Sequence, residues 1–233
     1  MLHTIPLDQL LAPRRGVISV IGSGGKSTLL ACGGRALADA GRRVVLATST
    51  HMFVPQDIPL ASSELELEAM LSKCNLVCVG EVEQRTGKLI ASAIPFSRLA
   101  DMADYVLVEA DGSHRLPLKA HAPHEPVIPA ANARTILVVG AGAFGETVET
   151  AVHRPEIFCR LTGCSPQDAA TPELVARAVA AEGLVDDDDL VILNQVDHMD
   201  RPSSLDACHD FVRTLGREVL AGSIRSGALV HLG

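Results

Sequence analysis

A chain of 233 residues, 47% of them hydrophobic, carries enough apolar surface to bury one good core. Its formal net charge of −8 and its scattered Lys and Arg leave no electrostatic footprint for a polynucleotide, so nucleic acid is excluded as an expected partner. No apolar run approaches the ~20 residues needed to cross a bilayer, since Arg134 interrupts the best candidate between Val127 and Phe144.

Met1 to Arg15 lacks the basic start and apolar stretch of a secretory signal, and a cytoplasmic chain without a membrane partner is expected. Six cysteines in such a chain read as reduced core packing. Cys74-x3-Cys78 and Cys159-x4-Cys164 lack the paired spacing of a zinc site.

In chain order, Val17 to Ile21 is a short β-branched run that ends in glycines and precedes helix-forming residues from Ser27 to Ala40. Gly41 stops that helix, and Arg43 to Ala47 predicts a second buried strand ending in Thr48-Ser49-Thr50-His51. The unit reads as βαβ with a right-handed crossover. Ser62-Ser63-Glu64-Leu65-Glu66 opens a helix to about Lys73, Leu76 to Val79 is a strand, and Thr86-Gly87-Lys88 turns into another.

Further strands fall at Tyr105 to Glu109, Thr135 to Val139 and Leu190 to Leu193, and helices near Pro155 to Leu161, Pro172 to Ala181 and Ser203 to Leu215. Residues 112–133, without a clear period, predict an ordered loop excursion near the site, and Asp186 to Asp189 reads as a solvated turn. The expected fold is a three-layer P-loop NTPase-like α/β fold with a mainly parallel sheet, in a single domain over 1–233.

The chemistry concentrates in Gly22-Ser23-Gly24-Gly25-Lys26-Ser27-Thr28. A triphosphate needs backbone amides converging on one concavity, a helix N-terminus behind them, a mobile cation and a hydroxyl for Mg²⁺. The three glycines permit close approach, Lys26 would reach the β- and γ-phosphates, and Ser27 would ligate Mg²⁺. The pattern G-x-x-x-x-G-K-[ST] asks for glycine at position 20, where Val20 stands, so the loop resembles the shorter loops of Mur-type ligases.

Mg²⁺ also requires a carboxylate at a neighbouring strand tip. Glu109 and Asp111 both qualify, one to hold the metal's water shell and the other to orient the attacking group. Glu109-Ala110-Asp111-Gly112 resembles the D-x-x-G motif of GTP-binding proteins, with glutamate in first place. Asn194-Gln195-Val196-Asp197 resembles their guanine-reading N-K-x-D motif, with Gln195 replacing the lysine.

An aspartate at position 197 could accept from guanine N1–H and its 2-amino group, which favours GTP over ATP; a plain helix cap is the alternative. Gly140-Ala141-Gly142-Ala143-Phe144-Gly145 spells a dinucleotide fingerprint, but its downstream context is wrong for one. His114, Arg115, Lys119, His121, His124, Glu125, His153 and Arg154 are candidates for phosphate charge or acid–base work, led by Lys119, Glu125 and Arg154.

Gly22 to Thr28, Thr48 to His51, Glu109 to Ser113, Leu118-Lys119 through His124-Glu125-Pro126-Val127-Ile128-Pro129, Val152 to Glu156 and Asn194 to Asp197 occur in that order. Together they resemble the YqeC family, whose members are described as accessory proteins for selenium-dependent molybdenum hydroxylases. The resemblance implies a maturation role, with such a hydroxylase or its cofactor as partner and nucleotide turnover driving the step. Three hypotheses follow: a slow Mg-dependent NTPase, a phosphoryl- or nucleotidyl-transfer enzyme whose small acceptor meets Lys119, His153 and Arg154, and a non-catalytic nucleotide-gated module.

Overall fold

The structure, a computed structural model, describes residues 3–199 and 201–233. It opens with α1 (Leu7–Leu11), β1 (Gly16–Gly22), α2 (Lys26–Asp39), β2 (Val44–Thr48), β3 (His51–Phe53), β4 (Leu60–Ala61), α3 (Glu64–Leu71) and β5 (Leu76–Val79). There follow β6 (Glu81–Val82), β7 (Lys88–Ile90), α4 (Phe96–Met102), β8 (Tyr105–Glu109), β9 (Leu118–Lys119) and β10 (Asn132–Gly140). The remainder is α5 (Val148–Ala151), β11 (Val152–His153), α6 (Pro155–Thr162), α7 (Pro172–Glu182), β12 (Leu190–Asn194), α8 (Arg201–Leu215), β13 (Val219–Ser223) and β14 (Ala228–Leu232).

Nine strands form one sheet in the order β14-β13-β12-β10-β1-β8-β2-β5-β4. Every pairing is parallel except that of β13 with β14. The alternation of side chains sorts the sheet into three layers. Ile136 and Val138 of β10 pack with Leu29, Leu30 and Leu37 of α2, whereas Leu137 and Val139 pack with Val175 and Val179 of α7 and Phe211 of α8. Below β2, β5 and β8 a further cluster takes in Leu67 of α3 and Leu99 of α4. The fold is therefore the expected mainly parallel, three-layer α/β fold.

β1 and β2 are not neighbours; β8 lies between them, pairing Val20 with Glu109 on one side and Thr48 with Glu109 on the other. This topology brings the tips of β1, β8 and β2 together at the carboxyl edge of the sheet. In open parallel sheets that edge is where ligands bind. Val20, which departs from the glycine pattern, is a buried mid-strand residue of β1 facing the α2 layer. The strand simply continues two residues further before the loop begins.

Two other features bear on the site. Residues 112–133 carry only the two-residue β9, which pairs with β11. A second, antiparallel sheet in the order β3-β7-β6 stands beyond the tip of β2 as a flap. Of the described helices, none is long and apolar enough to cross a membrane.

Candidate functional site: a glycine loop, a buried charge hub and a flap

The glycine loop joins β1 to α2. Gly22, Gly24 and Gly25 have φ of 89°, 81° and 146°, a region that side chains with Cβ rarely occupy. Close approach demands glycine as well: a Cβ on Gly24 would lie 2.4 Å from Gly140 Cα, and one on Gly25 would lie 2.2 Å from Asn194 Nδ2. Gly22 N–H donates to Asp111 Oδ2 at 2.9 Å and Ser23 N–H to Val138 O at 2.8 Å. Ser23 Oγ donates backwards to Leu116 O. Among the described residues, no acceptor meets the amides of Gly24, Gly25 and Lys26. These three lie at the N-terminus of α2, where amide dipoles and the helix end favour an anion.

Lys26, almost fully buried, folds back over the loop. Its Nζ donates to Gly22 O at 2.7 Å and to Ser113 Oγ at 3.2 Å, and lies 3.1 Å from Asp111 Oδ1, at ion-pair distance but off hydrogen-bond geometry. Ser27 Oγ donates to Glu109 Oε2 at 2.8 Å. Both Ser27 and Glu109 line the main cleft, and a hydroxyl beside a carboxylate is a hard-oxygen pair that fits Mg²⁺. Burial holds the Glu109 carboxyl above its ordinary range, with Lys26 and Ser27 opposing it. A divalent cation would offset that burial.

The two acids at the strand tip have different surroundings. Asp111 has no solvent-exposed surface and is surrounded by Gly22 N–H, Lys26, Lys119 Nζ at 3.1 Å and His121 Nε2 at 2.7 Å. No open face remains on it for a metal. Burial alone would raise its carboxyl, but His121, Lys26 and Lys119 outweigh burial and hold it well below the usual carboxylate range. β8 ends at Glu109, so the two acids part where the backbone leaves the strand.

Around Asp111 a charge hub continues into the excursion. Lys119 Nζ bridges to Glu125 Oε2 at 2.7 Å, and Arg154 grips Glu125 through both guanidinium nitrogens at 2.6 and 2.9 Å. Burial opposes ionisation of Glu125, yet Arg154 and Lys119 lower its carboxyl to about 2. His121 places Nε2 on Asp111 and Nδ1 on Glu182 at 2.9 Å. Desolvation by itself would depress this imidazole; its two carboxylate partners raise it above the ordinary value. His153 stacks on His114 with centroids 4.6 Å apart and is lowered to about 4 by burial, then by Arg154, His114 and Lys119.

Asn194, expected to contact nucleotide, instead ties backbone together. Its Nδ2 donates to Gly24 O at 2.7 Å and its Oδ1 accepts from Ile224 N–H at 2.9 Å, which anchors the loop to the turn just after β13. Gln195 lines the cleft, while Asp197 sits exposed on the short 3-10 turn Val196–His198. The apparent dinucleotide fingerprint runs into a 3-10 turn, Ala141–Ala143, in place of the long helix such a site needs. Its first glycine serves packing: a Cβ on Gly140 would lie 2.6 Å from Pro117 O.

The main cleft, about 970 Å³, runs from the loop to the flap, where it meets His51, Phe53, Arg85 and Lys88. None of these four was expected from sequence at the site, nor was Glu182. The alternation in His51-Met52-Phe53, with Met52 buried and its neighbours exposed, was the available signal for the flap. Glu182, at the end of α7, had none.

Two comparisons bear on identity. The family described as YqeC protein matches residues 18–156 of this chain. The Escherichia coli (strain K12) protein named "Uncharacterized protein YqeC" is 36% identical over 161 residues, which is 66% of this chain and 63% of that relative. The match thus spans less than two thirds of the relative's length. An α/β chain with a glycine loop at the carboxyl edge of its sheet is the class that fold and site define. The chain belongs to the YqeC family.

Proposed function

We propose that this chain binds a nucleoside triphosphate with Mg²⁺ at the glycine loop, GTP in preference to ATP, and hydrolyses it slowly. The carrying observation is the run of unengaged amides from Gly24 to Lys26, closed on one side by the Lys26 ammonium and on the other by the Ser27–Glu109 pair. In this reading the amides and Lys26 take the phosphates, while Ser27 and Glu109 hold Mg²⁺, which would neutralise phosphate charge. Asp111 is a positioning residue that fixes Gly22 and Lys26 from behind. Asp197 is the base-reading group, on its exposed turn and without a side-chain partner among the described residues.

Turnover is slow because Lys119 of the excursion and Arg154 are already engaged, Lys119 by Asp111 and Glu125, Arg154 by Glu125, while Arg115 is turned to the Phe53 ring on the flap side. Lack of an arginine finger can cost ~10³–10⁵ in rate. The same engagements argue against Lys119 and Arg154 as the grip on a transfer acceptor. The role we assign, as for the family it resembles, is accessory to the maturation of selenium-dependent molybdenum hydroxylases, with the hydroxylase or its cofactor as partner.

Calorimetric titration with non-hydrolysable GTP and ATP analogues, with and without Mg²⁺, tests the reading. Lys26→Ala is expected to weaken binding by about 10–100-fold, the worth of a charge-assisted contact, and Asp197→Ala to remove most of the preference for GTP. Failure of either nucleotide to bind the wild-type chain would sink it.

A further inference from the structure

The flap side of the cleft differs from the rest of the molecule in what its charges do. Phe53, half exposed, lies in β3 opposite Lys88 of β7. Lys88 Nζ stands 5.4 Å from the centre of its ring and the Arg115 guanidinium 4.5 Å from it. Among the described residues, Arg85, Lys88 and Arg115 have no carboxylate within ion-pair distance. That is unusual placement in a chain of net charge −8, where acids outnumber bases by 28 to 20. Like charges gathered round one ring repel, and the cation–π contacts return only about 0.5–1 kcal/mol each at an exposed site.

The platform is held firmly. Met52 and Leu89, the residues alternating with this face, are buried in the core beneath α2. Thr50 lines the same cleft, and its Oγ1, sequestered from solvent, has no hydrogen-bond partner among the described residues. Buried hydroxyls are normally satisfied, so this one points to a missing partner. The flap follows β2, whereas Gln195 and Asp197 follow β12, which lies on the other side of β1 with three strands between it and β2.

We infer that the flap forms a second subsite, for a small molecule with a planar heteroaromatic ring and an anionic group, bound alongside the nucleotide and facing its terminal phosphate. The ring stacks on Phe53 as the Arg115 and Lys88 side chains, which stand over that ring here, move aside to meet the anion with Arg85, and Thr50 Oγ1 hydrogen-bonds to it. The cleft volume of about 970 Å³ lies at the upper end of the ~300–1,000 Å³ of small-molecule pockets, room for phosphates and a second ligand together. The inference rests on the nucleotide reading for what occupies the other half.

Flavin mononucleotide and riboflavin, one ring with and without phosphate, serve as probes, read by quenching of flavin fluorescence. Flavin mononucleotide is expected to bind at least tenfold more tightly than riboflavin. Phe53→Ala and Arg115→Ala should each weaken it at least fivefold while changing the affinity for the GTP analogue less than twofold. Binding should persist in saturating GTP analogue and in Lys26→Ala.

Competition between flavin and GTP analogue would overturn the proposal, because one site would then hold both. So would loss of GTP-analogue affinity in Phe53→Ala, which would make the ring the nucleotide's own base platform, and so would failure of the wild-type chain to bind flavin mononucleotide. Failure of the nucleotide reading has a separate sign: GTP analogue affinity that does not respond to Lys26→Ala, whatever the flavin does.

Discussion

Two groups of charged side chains lie on either side of the glycine loop, and they differ in whether they are paired. Behind it, Glu182, His121, Asp111, Lys119, Glu125 and Arg154 form a continuous series of ion pairs with little exposed surface. In front of it, Lys88 and Arg115 reach a half-open aromatic ring, and among the described residues neither they nor Arg85, which lines the same cleft, has a carboxylate at ion-pair distance. Buried charge must be compensated by partners of the fold, because isolated ions lose several kcal/mol of hydration. Exposed charge tolerates being left unpaired and so remains available to a ligand. The hub therefore holds the loop in place, and the flap is the side that can recognise something else.

The comparison is broken most severely at Asp111. Asp111→Asn leaves Lys26, Lys119 and His121 without their shared carboxylate, and removing one partner of a buried pair costs about 3–5 kcal/mol. For a chain of this size that lowers Tm by about 10 °C in calorimetry. An unchanged Tm would show that the hub does not stabilise the fold.

A smaller effect separates the hub's members by pH. His121 has a raised folded value, so its contribution is complete below the unfolded value of 6.5 and is lost as pH rises through the folded one. Glu125 is lowered to about 2, so its contribution is present above 4.5 and is lost as pH falls towards 2. The hub is strongest between those limits. His153, lowered to about 4, acts with opposite sign, favouring the folded state less as pH falls below 6.5. Urea midpoints at pH 5.5 and 8.5 should fall more for the wild-type chain than for His121→Gln, in which only the His121 contribution is removed.

The smallest expected effect lies in front of the loop. Arg85→Ala and Arg115→Ala should change stability by less than about 0.5 kcal/mol in the same denaturant measurement, as for surface positions outside any network. A loss comparable to that of Asp111→Asn would erase the distinction between the two regions.

Much of the framework was legible in residue pattern. Val17 to Ile21, Tyr105 to Glu109 and Leu190 to Leu193 are short β-branched or aliphatic runs, and each became a buried strand with at most two extra residues. Ser63 caps α3 through its side chain, within the run Ser62 to Glu66 that predicts a helix opening, and Thr171 caps α7 in the same way. The five-residue α1 is too short for a 3.6-residue period to register, and β14 has only the three-residue apolar run Ala228 to Val230 before His231.

By itself the sequence determined where the glycine loop, the acidic strand end and most buried strands lie, because these depend on conformational freedom and hydrophobic period within a few neighbouring residues. Only the tertiary structure decided that β8 enters between β1 and β2, that Glu109 faces the cleft while Asp111 is enclosed, and that Asn194 holds the loop to the turn after β13. It also brought Phe53, Lys88 and Arg115 together. These outcomes depend on pairing between residues up to 170 positions apart, and no local propensity encodes which distant partner a polar group will find.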